Sequence, residues 1–516
     1  MAGRVLTRVR AMTKSDSDIS RRWLLGALLA GVAAPALAEA PLTSARPVPR
    51  PAPGGALGAP AILTKPAAAS ADDIILSARL GGQVAYLCVD PATGETIDAR
   101  DPDLDLPPAS TAKSITTLYA LDRLGGGHRF ETRVLATGPV AGGLVQGDLI
   151  LSGTGDPTLS TDMLAAMAAT LSSKGVRGVT GRFLVDDGAL PNLPLIDPEQ
   201  PDYVGYNPAI SGLNLNYNRV HFEWKRKGNG WSVAMDARSD RFVPPVQMAQ
   251  MRVVNRDKPL FTFDQKNGID SWTVAATALG NAGSRWLPVR QPGAYTGDVF
   301  RALAKAQGID LPEPREIRGT PAGTMLVRQT SDELSTVIRS MLKYSTNLTA
   351  EVLGLSSSGA QAGTLRESGR RMSGWANAKF GRSGSFVDHS GLGPDSRVAP
   401  ADMVAAMASP EGAQLAGLMK PFKLRGLEGQ PAKGAKDPDL TVQAKTGTLN
   451  FASGLVGFVQ TPAGRRLAFA VYAADIPRRD ALPLALREEP PGGSSWAARA
   501  RVMESQLIER WSRLSA

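Results

Sequence analysis

The chain has 516 residues, 43% hydrophobic and 21% charged, proportions that exclude a largely disordered chain and a multi-pass membrane protein. That length exceeds what one hydrophobic core usually serves, so two or three domains are expected. The formal net charge is +10, of which Arg4, Arg8, Arg10, Lys14, Arg21 and Arg22 against Asp16 and Asp18 supply +4, leaving about +6 beyond residue 38; so modest a balance gives no indication of nucleic-acid binding.

Residues 1–38 read as an export signal. Arg21-Arg22 precedes an apolar run to Ala34, and Ala36-Leu37-Ala38 offers the small-x-small pattern of a cleavage site, with the cut expected after Ala38. The paired arginines resemble a twin-arginine signal, with a general secretory signal as the alternative. The apolar stretch 24–38 is short for a bilayer span, so no permanent membrane anchor is expected and the mature protein is placed in the periplasm. Residues 39–70 follow as a linker, since 41–70 hold seven prolines and eight alanines, the composition of a semi-rigid tether.

From residue 71 the chain reads as folded. A strand from Val84 to Asp90, a Pro91-Ala92-Thr93-Gly94 turn and a short strand to Arg100 form a hairpin, with the single cysteine, Cys88, as a buried strand residue. Pro107 and Pro108 end extended chain, and apolar positions 115, 118, 119 and 121 have helical spacing, so Ser110 is predicted at a helix N-terminus. Residues 131–325 carry many glycines and short strand-like runs, the mark of a mainly β insert. Helical character returns around 331–354. Strands Leu440–Lys445, Gly454–Gln460 and Leu467–Ala473 then make an antiparallel meander, covered by a helix from Ser495 to Leu514 through Met503, Leu507, Trp511 and Leu514. The three histidines, His128, His221 and His389, have no ligand spacing and give no support to a metal site.

Three short motifs occur in order: Ser110-Thr111-Ala112-Lys113, Ser345-Thr346-Asn347 and Lys445-Thr446-Gly447. Each alone is weak, and Ser340-Met341-Leu342-Lys343 is a second Ser-x-x-Lys, inside a helical run with no break before it. On a helix, residues three apart share a face, so Lys113 can aim its amine at the Ser110 hydroxyl. Serine needs a neighbour to take its proton, and a lysine kept neutral by burial or nearby cations can do so. Backbone N–H groups at the helix start, with the N–H of Thr448, can face a developing oxyanion. Asp388-His389-Ser390 spells a triad, but consecutive side chains point apart and cannot form one.

The ordered set is the active-site pattern of serine β-lactamases and penicillin-binding proteins. With Gly147–Leu159, Ser211–Asn218 and Asp388–Leu392 added, the chain resembles the low-molecular-mass penicillin-binding proteins that are D-Ala-D-Ala carboxypeptidase/endopeptidases with a large insert. The separation of 235 positions from Ser110 to Ser345 is the main discriminator from β-lactamases. The resemblance implies an α/β fold: a β-lactamase/transpeptidase-like domain with an antiparallel sheet flanked by helices, split into 71–130 and 326–516 around a β-rich insert at 131–325. It implies Ser110 as nucleophile, Lys113 as base, Ser345 as proton relay, Asn347 as ligand of the substrate amide and Lys445 as holder of the terminal carboxylate. Thr446 and Thr448 would share that carboxylate, and Gly447 would let the substrate backbone lie close. The implied partners are peptidoglycan stem peptides and β-lactam antibiotics, with no cofactor; oligomeric state is left open. The sequence departs from the family at Thr346, often Asp, at His389, usually Gly, and in Asp202–Asn207, which lacks paired acids.

Two rivals stay in view. A β-lactamase needs a segment that positions a deacylating water, and no Glu-x-x-Leu-Asn-like stretch is present. A catalytically quiet peptidoglycan-binding protein has no need of an intact Ser110, Lys113 and Lys445.

Overall fold

The computed structural model describes residues 69–516 apart from 320, 360–361 and 427–438. The expected export signal, and the linker but for its last two residues, lie outside the described residues.

A five-stranded antiparallel sheet runs in the order Thr441–Leu449, Ala452–Gln460, Arg466–Ala474, Gln83–Val89, Thr96–Arg100. The Ala452–Gln460 and Arg466–Ala474 strands are buried over nearly their whole length because helices cover both faces. Cys88 lies fully buried in the Gln83–Val89 strand, as expected.

One face meets the helix Gly493–Leu514, whose Trp496, Ala500, Met503, Leu507, Ile508 and Trp511 join the sheet's apolar side chains in a single core. Met503 and Leu507 are each stabilised by roughly 1.5–3 kcal/mol on leaving water. Leu514, expected on the same stripe, is exposed: it is the last helical residue, and the buried stripe ends at Trp511. Against the other face lies a second core built on the helix Ala112–Leu124, with Leu334–Tyr344, Asn347–Ser358, Leu365–Phe380 and Pro400–Ala408 around it.

A second five-stranded sheet is mixed, in the order Pro314–Ile317, Phe183–Asp186, Leu149–Gly153, Glu131–Ala136, Thr324–Thr330. Separate, smaller sheets of three strands belong to the same part of the chain. Two helices, Thr161–Ser173 and Pro292–Ala306, belong to this part of the chain and were not read from the sequence. Leu164, Ala165, Met167, Ala168 and Leu171 are buried in the first, but so many small residues surround them that the periodic contrast is faint. The second carries Gly293 and Gly297, glycines that packing demands: a Cβ at Gly297 would meet Val185 Cγ2 and Pro314 Cβ at 2.8 Å.

Candidate active site

The Ser110 turn is built from a conflict between prolines and helix. Pro108 leads into Ala109, held in the left-handed region at φ +47°, and a single 3-10 turn, Ala109–Thr111, then enters the helix Ala112–Leu124. A non-glycine residue in that region is uncommon and persists only where its surroundings fix it. Thr111 supplies part of the fixing, donating from Oγ1 to Pro108 O at 2.7 Å beside the Tyr472 hydroxyl. Gly391 supplies another part: its φ is +73°, and any Cβ there would fall 1.8 Å from Ala109 O. Gly447 packs on the turn from the strand side, where a Cβ would lie 2.7 Å from Pro108 O and 3.1 Å from Ser110 N. The glycine of the third motif thus makes room for the protein's own Ser110 turn.

Lys113 is completely buried, and its Nζ lies 2.9 Å from Ser110 Oγ, 2.8 Å from Asn347 Oδ1 and 2.7 Å from Ser390 O. Two of those partners are carbonyl oxygens, which only accept. The third is a hydroxyl, which can donate. A neutral amine has two N–H bonds and one lone pair, so the geometry suits an uncharged Lys113 that gives its protons to Asn347 and Ser390 and receives one from Ser110. Asn347 Nδ2 donates to Tyr206 O at 3.0 Å, which fixes the amide orientation this requires.

Burial lowers the Lys113 pKa, while the nearby Glu351 and Asp388 oppose the shift. Both acids are buried: Glu351 accepts from the His389 and Ser390 N–H groups at 3.0 and 2.9 Å, and Asp388 from those of Gly391 and Gly393 at 2.7 and 2.6 Å. Burial raises the pKa of each. Glu351 follows Asn347 by one helical turn, so a lone acid in the apolar run Leu348–Leu355 was its signal in the sequence.

Ser345 and Thr346 link the helices Leu334–Tyr344 and Asn347–Ser358. Ser345 adopts the left-handed conformation and closes the first helix by donating its N–H to Met341 O at 2.7 Å. The two-residue link carries Ser345 Oγ to Lys445 Nζ at 2.9 Å and Asn347 to Lys113. Lys445 is 1% exposed and also donates to Thr446 O at 2.6 Å. Burial, then the charges of Lys113 and Lys420, depress its pKa well below the ordinary lysine range. Thr446 is half-buried and Thr448 exposed.

Ser110, Ser345, Asn347 and Thr448 open onto a cleft of about 400 Å³ whose far wall includes Asp197 and Tyr206. Sequence reasoning missed how that wall is held. Arg290, 8% exposed, donates to the carbonyls of Pro194, Asp202 and Asn207 and so clamps the segment that presents Tyr206 O to Asn347. Nothing local in the sequence pairs Arg290 with a segment some ninety residues earlier.

The decoy motif stays outside: Lys343 is exposed over the Tyr344 ring. Asp388, His389 and Ser390 form no triad, because the His389 ring points away to Ser368 Oγ and Met372 Sδ.

The sequence model of the D-Ala-D-Ala carboxypeptidase 3 (S13) family matches residues 67–483. The chain is 30% identical over 441 residues to a D-alanyl-D-alanine carboxypeptidase of Actinomadura sp., covering 78% of this chain and 79% of that one. It is 24% identical over 389 residues to a D-alanyl-D-alanine carboxypeptidase of Haemophilus influenzae, covering 70% and 79%. The crystal structure of penicillin binding protein 4 from Haemophilus influenzae superposes with a TM-score of 0.67 at 20% identity, covering 87% of this chain and 98% of that one, and the same protein has been solved complexed with a β-lactam. The chain therefore belongs to the D-Ala-D-Ala carboxypeptidase 3 (S13) family and is a serine-type D-Ala-D-Ala carboxypeptidase of the low-molecular-mass penicillin-binding class.

Proposed function

We propose that Ser110 attacks the carbonyl between two D-alanines of a peptidoglycan stem peptide while its proton passes to Lys113. The oxyanion is held by the backbone N–H groups of Ser110 and Thr448, and Asn347 orients the substrate amide. Ser345, bonded to Lys445, gives its proton to the departing amine and takes up the one held on Lys113, which leaves Lys113 neutral. D-alanine leaves, Lys113 activates a water, and hydrolysis of the ester frees the enzyme; with a cross-linked stem peptide the same steps give endopeptidase action. The observation that carries this reading is the Lys113 amine set between one hydroxyl and two carbonyls.

The proposal extends to organisation and location: an export signal at 1–38 cut after Ala38, a linker at 39–70, a catalytic domain from 71–130 and 326–516, and an insert at 131–325, acting in the periplasm without a permanent anchor. Pairing of Thr324–Thr330 with Glu131–Ala136 supports an exit from the insert some residues beyond 325. Among the described residues no helix is long and apolar enough to cross a membrane.

Peptide mapping by mass spectrometry after incubation with penicillin tests the core of the reading, and the adduct is expected on Ser110. An adduct elsewhere, or none while purified muropeptides stay intact, overturns it. N-terminal sequencing of the periplasmic protein is expected to begin at Glu39.

A further inference from the structure

The carboxylate role that the family pattern gives to Lys445 sits poorly with where the strand aims its side chains. Along Thr441–Leu449 successive residues point to opposite faces. Lys445 and Gly447 face the nucleophile turn and Ser345, as their contacts show. Thr446 and Thr448 face the other way, toward the helix Gly493–Leu514. Their neighbours confirm it: Thr448 pairs with Ser453, whose hydroxyl donates to Glu504 of that helix at 2.6 Å, and Thr446 pairs with Leu455, buried in the core under it. A carboxylate bridging the two threonine hydroxyls would therefore approach from the helix side, with Lys445 occupied on the opposite face.

The helix presents a different cation there. Arg501 is half-buried, and its guanidinium makes one hydrogen bond among the described residues, from Nη2 to Thr448 Oγ1 at 3.3 Å. No ion pair engages it among those residues. Among the described residues its charged surroundings are chiefly cationic: Lys420 and Arg425 lie near it, and the acid that acts on it, Glu504, is buried and turned to Ser453. A half-buried guanidinium that, among the described residues, has four N–H groups to spare and no counter-ion, and that rests on a threonine of the third motif, is arranged to receive one.

We propose that Arg501, with the hydroxyls of Thr446 and Thr448, is the residue that recognises the free C-terminal carboxylate of the substrate, and that Lys445 serves proton transfer through Ser345. The proposal rests on the carboxypeptidase reading above. It makes Arg501 the determinant of selectivity for a free acid over a blocked terminus.

The test compares kcat/KM of the purified full-length mature enzyme for a D-Ala-D-Ala peptide and for the same peptide with an amidated C-terminus. Wild type is expected to prefer the acid. Arg501→Gln is expected to shrink the acid-to-amide ratio by roughly tenfold to a hundredfold, the loss of a charged hydrogen bond. Arg501→Lys, which keeps the charge and the stem, is expected to restore part of the ratio and serves as the measurement if the glutamine variant does not fold. Lys445→Met is expected to slow both substrates together and leave the ratio near its wild-type value. An unchanged ratio in both Arg501 variants, or a collapse of the ratio in Lys445→Met alone, overturns the assignment. Failure of the wild type to cleave either peptide would instead strike at the carboxypeptidase reading.

Discussion

Two lysines are buried in one cleft, and their surroundings differ. On the helical wall, Lys113 has two buried acids beside it, Glu351 and Asp388, and three oxygen partners. On the strand wall, Lys445 has two oxygen partners, and the charges that most affect it are the cations Lys113 and Lys420. Burial works against a charged ammonium in both places, but only the first wall opposes it with nearby acids. In the proposed mechanism the helical wall can hold a proton once Lys113 has taken it from Ser110, because Glu351 and Asp388 beside it oppose the burial cost of the resulting charge. The strand wall repels a second positive charge and favours handing a proton on. In the proposed mechanism that asymmetry gives the reaction a direction, from Ser110 through Lys113 on one side and out through Ser345 on the other.

The largest expected effect separates the two walls. Lys113→Ala removes the group that takes the first proton and is expected to slow acylation by on the order of 10²- to 10⁴-fold, the usual contribution of a positioned base. Lys445→Met acts on the second transfer and is expected to cost less, roughly tenfold to a hundredfold. Stopped-flow acylation by a fluorescent penicillin ranks them, and a greater loss at Lys445 would reverse the asymmetry.

The helical wall was only partly legible in the sequence. The three motifs located Ser110, Lys113, Ser345, Asn347 and Lys445 because the chemistry is tied to short spacings on one helix, one interhelical link and one strand. The meander and the C-terminal helix were legible because their apolar periodicity is strong. What supports the motifs was not: Arg290 clamps a segment distant in sequence, Tyr206 acts through a backbone carbonyl that no side chain advertises, and Arg501 faces Thr448 from a helix read only as a cover. The departure at His389 gains its meaning only in three dimensions. Its ring, with a pKa pushed down to about 3 by burial and so neutral, fills the space over Gly354, where a Cβ would come within 2.0 Å of the ring.

That complementarity sharpens the picture of the helical wall. His389 lies between Asp388 and Ser390, so its seat against Gly354 sets where the Ser390 carbonyl meets Lys113. Gly354→Ala overpacks a rigid site and is expected to lower stability by roughly 3 kcal/mol, with a slower acylation rate. Adding His389→Ala to Gly354→Ala is expected to recover part of the loss, because the clash has one source. Urea unfolding of the two single variants and the double variant decides; additive losses would show that the ring is not seated on Gly354.

The smallest effect belongs to the strand wall. Glu504 is fully buried where the C-terminal helix meets Ser453, and burial, opposed by the Ser453 hydrogen bond and then by Arg501 and Arg425, raises its pKa to about 7. An acid whose pKa is higher folded than unfolded binds its proton more tightly in the native state. Its contribution to stability is therefore full below the unfolded value near 4.5 and is lost as pH rises through about 7. Glu504→Gln keeps the shape and cannot ionise, so it is expected to resemble wild type at pH 5 and to be more stable at pH 8, by roughly 1–3 kcal/mol. Thermal unfolding of both proteins across that range reads the difference directly. A gap that stays constant from pH 5 to pH 8 would mean that Glu504 keeps its charge, in which case Arg501 already has a counter-ion on its own helix and the strand wall is less short of negative charge than its partners indicate.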